Sequence, residues 1–145
     1  MKYLSEIIYG GVDGIITTFA IISGSMGANL ALRVPIIIGI ASLFADGFSM
    51  GVSSYLAEQT RFERKNPLVV GVITFLSFIT VGMVPLVPYI FNLTNAFGIS
   101  AILMSISLFI VGFMKSMSHG FQTLVLGLGA AVISYYIGNA MKQIK

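Results

Sequence analysis

The chain has 145 residues, of which 57% are hydrophobic and only 9% charged, and its mean hydropathy is +0.97. A soluble domain carries about 25% charged residues, so this chain lacks the makings of a soluble surface and reads as an integral membrane protein. With 0 Cys it has no disulfide, thiolate metal site or thiol nucleophile, one His rules out a multi-histidine site within a single copy, and a net charge of +3 spread over short loops suits topology signals and no nucleic-acid partner.

Five apolar stretches follow in order, at roughly 6–28, 35–57, 68–91, 99–117 and 121–141. Each is close to the roughly 20 residues that a bilayer core requires. Lipid admits only helices or closed barrels, because every backbone polar group needs a partner, and these runs are continuous rather than alternating. The expected fold is therefore all-α, a single domain over 1–145 with five transmembrane helices. The N-terminus, MKYLSEIIYGGVDG, makes a poor signal peptide, because Glu6 and Asp13 interrupt the apolar run.

The connections are short. Pro35 suits a first helical position. RFERKN, residues 61–66, is the one dense charge cluster, and Glu58, Arg61, Glu63 and Arg64 read as a solvated helix end. Pro85 and Pro88 are expected to bend or break the third helix near its outer end. His119 falls in a loop and reads as solvated. Lys2, Arg61, Arg64, Lys65 and Lys115 lie on one side, against Arg33, Lys142 and Lys145 on the other. That bias favours N-inside, C-outside. Tyr3, Tyr9, Tyr55, Tyr89, Tyr135 and Tyr136 are all expected near the two membrane interfaces.

Two acids stand inside the spans, Asp13 in the first and Asp46 in the second. A carboxylate near the bilayer centre costs about 2.5–3.5 kcal/mol on insertion scales, and such groups mark ion or proton paths by facing a protein interior or a water-filled cavity. The competing reading is a protonated acid clasping a neighbouring helix. Met50 follows Asp46 by one turn on the same face. With the two helices antiparallel about a turn near residue 31, Asp13 is expected level with Met50, and Asp46 level with Thr17. Glu58 then lies at the inner mouth beside Glu6. The candidate metal ligands are Asp13, Asp46, Met50 and Glu58, with Thr17 and Glu6 in support. A thioether beside carboxylates favours a transition ion over Mg²⁺ or Ca²⁺. Two acids and a thioether are too few ligands for an octahedral ion, and a symmetric homodimer doubles the set. Gly10-x-x-x-Gly14 and Gly47-x-x-x-Gly51 offer small faces beside the acids where backbones approach closely. No nucleophile–base pair, phosphate loop or zinc motif is present, so no enzyme is expected. A membrane scaffold with structural acids is the alternative to a transporter.

YGGVDGIITTFAIISG and ADGFSMGVSSYLA resemble the vacuolar iron transporter family, and so do VGMVPLVPYIF, LFIVGFMKS and LVLGLGAAVISYYIGNAM. The resemblance covers nearly the whole chain. It implies a five-helix homodimer that moves a divalent metal, Fe²⁺ or Mn²⁺, out of the cytosol in exchange for protons, with the metal as cargo and no permanently bound cofactor. It implies a cell-membrane location in a prokaryote and a vacuolar-type membrane in a eukaryote. The first-helix aspartate and second-helix methionine that line the family's path correspond to Asp13 and Met50, and the motif's second aspartate to Asp46. Two departures stand out. Ser54 replaces a common glutamate after the SMG motif, and the long glutamate-rich cytoplasmic segment of eukaryotic members shrinks to RFERKN.

Overall fold

The computed structural model describes residues 2–62 and 65–143; Glu63, Arg64 and Lys145, which the charge reading used, lie outside the described residues. The elements are α1 (Leu4–Gly27), α2 (Arg33–Gln59), α3 (Pro67–Gly82), a 3₁₀ turn (Val84–Leu86), α4 (Val87–Ile90), α5 (Ala96–Phe113) and α6 (Met117–Met141). With Pro67–Ile90 counted as one span, the described residues hold 5 helices long and apolar enough to cross a membrane.

Local chemistry sets the helix ends. Asn66 Oδ1 accepts from the N–H groups of Leu68 (3.1 Å) and Val69 (3.3 Å), and Pro67 takes the first helical position of α3. Ser116 caps α6 by accepting from the His119 N–H, so α6 begins at Met117, four residues before the expected start. His119 is accordingly half-buried in a first helical turn, its Nδ1 2.7 Å from Ser116 Oγ, and not a solvated loop residue. Among the described residues the non-glycine positions with positive φ are Asn29, Asn92 and Asn95, all in the turns between spans, where asparagine tolerates the left-handed region. α2 begins at Arg33, so Pro35 lies inside its first turn, where its missing N–H still costs nothing.

The third span breaks as its prolines predict. α3 stops at Gly82, Pro85 sits in the 3₁₀ turn and Pro88 opens α4. Ser100 of α5 donates its hydroxyl proton to the Pro85 carbonyl, supplying a partner where the regular ladder is interrupted. Tyr89, near the end of this span, is packed into the core at 4% exposure.

α1 is the central helix, packed on α3, α6 and α5, whereas α2 leans mainly on α3 and meets α1 along a thinner seam. Ile15, Phe19 and Ile22 of α1 form the core with Leu43, Phe78, Leu86, Met104 and Leu108. Lipid supplies no hydrophobic drive between helices, so small residues and serine hydroxyls hold them. Ser77 donates to the Ile7 carbonyl (2.7 Å), Ser23 to Ala131 (2.8 Å) and Ser134 to Ala20 (2.6 Å). Both glycine pairs read from the sequence are close-approach faces, and both face α3. A side chain on Gly14 would strike the Phe78 carbonyl, and one on Gly51 would come within 3.0 Å of the Gly71 carbonyl.

Candidate metal pathway

α2 buries a single stripe at four-residue spacing, Pro35, Gly39, Leu43, Gly47 and Gly51. Asp46, Met50 and Ser54 run along the neighbouring line of the same helix, one turn apart. Asp46 is exposed on the chain's own surface, as is Asp13 on α1, whereas Met50 and Thr17 are half-buried. Met50 packs partly against the core cluster.

α3 fixes the relative depth of these residues, because both α1 and α2 lie on it. Gly14 and Leu43 both meet Gly82, and Gly10 and Gly47 both meet Phe78. At 1.5 Å per residue, this register sets Asp13 about 3 Å in depth from Asp46 and about 9 Å from Met50. The expected pairing of Asp13 with Met50 is thus displaced by more than a turn. The cause is the early start of α2 at Arg33 together with α3, which sets the offset. Met50 lies nearer the mouth, toward the depth of Tyr9, and Thr17 lies beyond the acids on the other side.

Below Met50 a cleft of about 390 Å³ opens between the lower ends of α1, α2 and α3, lined by Ser5, Glu6, Tyr9, Ser53, Ser54, Ala57, Glu58, Arg61, Val70 and Thr74. Its two acids are not solvated. Glu6 is 6% exposed and Glu58 2%, which corrects the reading of Glu58 as part of a solvated helix end. Glu58 Oε1 accepts the Lys65 backbone N–H at 2.7 Å, and Oε2 lies 3.3 Å from the Arg61 guanidinium. The Lys65 ammonium donates to both oxygens of Glu6, at 2.8 and 3.1 Å. Ser5 Oγ donates to Glu6 Oε2 at 3.0 Å. Ser53 and Ser54 line the cleft and Lys65 pairs with its acid Glu6, and none of these three was placed at the mouth by sequence reasoning. Lys65 counted there only as a topology charge, and its i,j separation from Glu6 carries no periodic signal.

Chemically, the arrangement is a polar line from a lined cleft, past Tyr9 and Met50, to two carboxylates near the middles of α1 and α2. Among the described residues no three His, Cys, Asp or Glu side chains converge on one point. The chain itself presents two exposed carboxylates, with the Met50 thioether one helical turn from Asp46.

Sequence comparisons agree with this architecture. The chain is similar to the vacuolar iron transporter of Plasmodium berghei (strain Anka), 48% identical over 61 residues, which is 42% of this chain and 22% of that protein. It is 56% identical to the vacuolar iron transporter of Plasmodium falciparum (isolate 3D7) over 52 residues, 36% of this chain and 19% of the relative. It is 38% identical to vacuolar iron transporter 1 of Arabidopsis thaliana over 59 residues, 41% and 24% of the two lengths. The matched stretches thus span only about a fifth to a quarter of these curated relatives. The VIT family profile matches residues 4–65 and 58–139, nearly end to end, and this membrane chain belongs to the VIT family.

Proposed function

We propose that this protein is a divalent transition-metal transporter, carrying Fe²⁺ or Mn²⁺ out of the cytosol in exchange for protons. The observation that carries the reading is the pair Asp13 and Asp46, within about 3 Å of one another along the helices and exposed on a single copy. Two carboxylates facing lipid would each cost about 2.5–3.5 kcal/mol. Neither is hydrogen-bonded to another described side chain, so the scaffold reading, with acids clasping neighbouring helices, finds no support. Covering that face with the same face of a second copy brings four carboxylates to a two-fold axis and completes an oxygen-rich ligand set. Met50 then lies on the way in from the cleft and biases the path toward softer ions. The chain is oriented N-inside, C-outside, with the cleft on the cytosolic side.

Exchange follows from the ligand chemistry, because a carboxylate oxygen that has taken a proton no longer holds the metal well. Acid on the far side discharges the ion, and the returning protons reset the pair. The test is Mn²⁺ uptake into vesicles reconstituted with the full chain under an imposed pH gradient. Uptake is expected to stop when a protonophore collapses the gradient. It is expected to fall at least about tenfold in Asp13→Asn and Asp46→Asn, the loss of one charge-assisted ligand contact per copy. Wild-type uptake in both variants would refute the assignment.

A further inference from the structure

Two cations of the chain's own sit at the cleft's acids, Arg61 in its lining beside Glu58 and Lys65 on Glu6. Lys65 lies in the α2–α3 connection, yet its ammonium reaches back to the start of α1. There it meets Glu6 Oε1 at 2.8 Å, Oε2 at 3.1 Å and Ser5 Oγ at 3.2 Å, with the Tyr3 ring centroid 5.6 Å away. Its backbone N–H simultaneously ties Glu58 Oε1 at 2.7 Å. The two mouth acids are nearly fully buried, and one residue spans both. The Lys65 side chain keeps 22% exposure, against 7% for Glu6.

We infer that Lys65 is a tethered stand-in for the metal, a latch that closes the acidic mouth until a divalent cation displaces its ammonium from Glu6. The inference rests on the transporter reading for its purpose and on the mouth geometry for its form. A lysine suits a reversible latch. Its ammonium is a compact charge on a flexible stem that swings away without moving backbone, whereas a guanidinium would grip the carboxylate with two parallel bonds. Release also leaves α3 intact, because the cap of that helix is the separate Asn66–Pro67 pair. A doubly charged ion gains more from the Glu6 carboxylate than the single charge it replaces, while Arg61 stays beside Glu58, so metal drives the exchange and the ammonium returns once the ion has moved on.

The latch predicts effects opposite to those of a structural ion pair. In Lys65→Gln the Mn²⁺ concentration for half-maximal uptake should fall about tenfold, the loss of a competing charge-assisted contact. In Lys65→Arg it should rise. A purely structural pair predicts no gain of affinity in Lys65→Gln, and an unchanged or raised half-maximal concentration there overturns the latch. The second measurement needs no variant and no transport. Acylation of the Lys65 amine in the wild-type chain, read by mass spectrometry against the exposed Lys115 as internal reference, should speed up at least fivefold on adding saturating Mn²⁺, a size set by the same contact. It should already be fast without metal in Glu6→Gln. A Lys65 rate indifferent to Mn²⁺ overturns the latch even in vesicles that transport. Metal-dependent acylation in vesicles that take up no Mn²⁺ would instead sustain the latch and refute the transporter reading.

Discussion

Gly14 and Gly129 undergo the same substitution, to alanine, with opposite expected results. Gly14 faces α3 so closely that a β-carbon would strike the Phe78 carbonyl, and in the reverse direction a β-carbon on Gly82 would sit 2.9 Å from the Gly14 carbonyl carbon. These are backbone atoms, so neither side yields by changing a rotamer, and α1 must part from α3. Overpacking of this kind costs about 1–3 kcal/mol, and the upper end applies where backbone has to move. Alanine returns about 0.5–1 kcal/mol through helix propensity, leaving a net loss of about 2 kcal/mol. Gly129, on α6, has nothing within 4 Å of its β-carbon, so Gly129→Ala should gain the propensity alone. The two variants should differ by about 3 kcal/mol, or roughly 6–12 °C in melting temperature at this chain length. Thermal unfolding of the purified protein in one detergent, followed by the loss of its monodisperse size-exclusion peak, compares them directly. Gly14→Ala also displaces Asp13, its chain neighbour, so Mn²⁺ uptake should fall further than the lost folded fraction explains. Equal melting temperatures for the two variants would refute the α1–α3 contact from which the depth of Asp13 was argued.

Other outcomes follow from the same geometry. The sequence contains 0 Cys, so Tyr9→Cys, on the exposed line below Asp13, should give a disulfide-linked dimer on oxidation, while Ile133→Cys on the lipid-facing side of α6 should not; a monomer from both would remove the two-fold assembly. Met50→Ala should lower Fe²⁺ uptake relative to Mg²⁺ uptake, because a thioether favours the softer ion, and a ratio unchanged from wild type would confine Met50 to packing. A chelator should leave the melting temperature of protein purified without added metal unchanged, since the ion is cargo. Mn²⁺ at a hundredfold excess over its Kd should then stabilise the chain by about 2.7 kcal/mol, and a melting temperature indifferent to Mn²⁺ would argue against any bound ion.

The spans were legible because lipid imposes one simple demand, continuous apolar length, and the two prolines announced the break after Gly82. The close-approach role of Gly10, Gly14, Gly47 and Gly51 was legible too, but their shared partner was not. Spacing within one helix says nothing about which other helix lies against it, and α3 carries no mark of its own beyond Gly71 and Gly82. That missing neighbour is why Asp13 was expected opposite Met50 rather than Asp46. The register came from a turn whose centre shifts when α2 begins two residues early. Glu58 looked solvated because charge clusters at helix ends usually are. Its burial depends on Lys65 folding back across the mouth, a contact without periodicity.

The placement of the acids relative to the glue argues most strongly against a structural role for them. α1 has two working sides. Gly10, Gly14, Ser23 and Gly27 hold it to α3 and α6 through close backbone contact and a hydroxyl bond, and Ile15, Phe19 and Ile22 fill the core. Tyr9 and Asp13 stand on the remaining side and help with neither task. α2 repeats the division, with Gly47 and Gly51 set against α3 and Asp46 left outside. A fold that needed its carboxylates for cohesion would bury them against donors, as it does with Glu6 and Glu58 at the mouth. Here the helices are secured without Asp13 and Asp46, and the insertion cost of two exposed acids is left with no structural return. Asp13→Asn should therefore leave the stability within about 0.5 kcal/mol of wild type, as for a substitution that removes no packing, while abolishing metal movement. Loss of both together would return Asp13 to the scaffold.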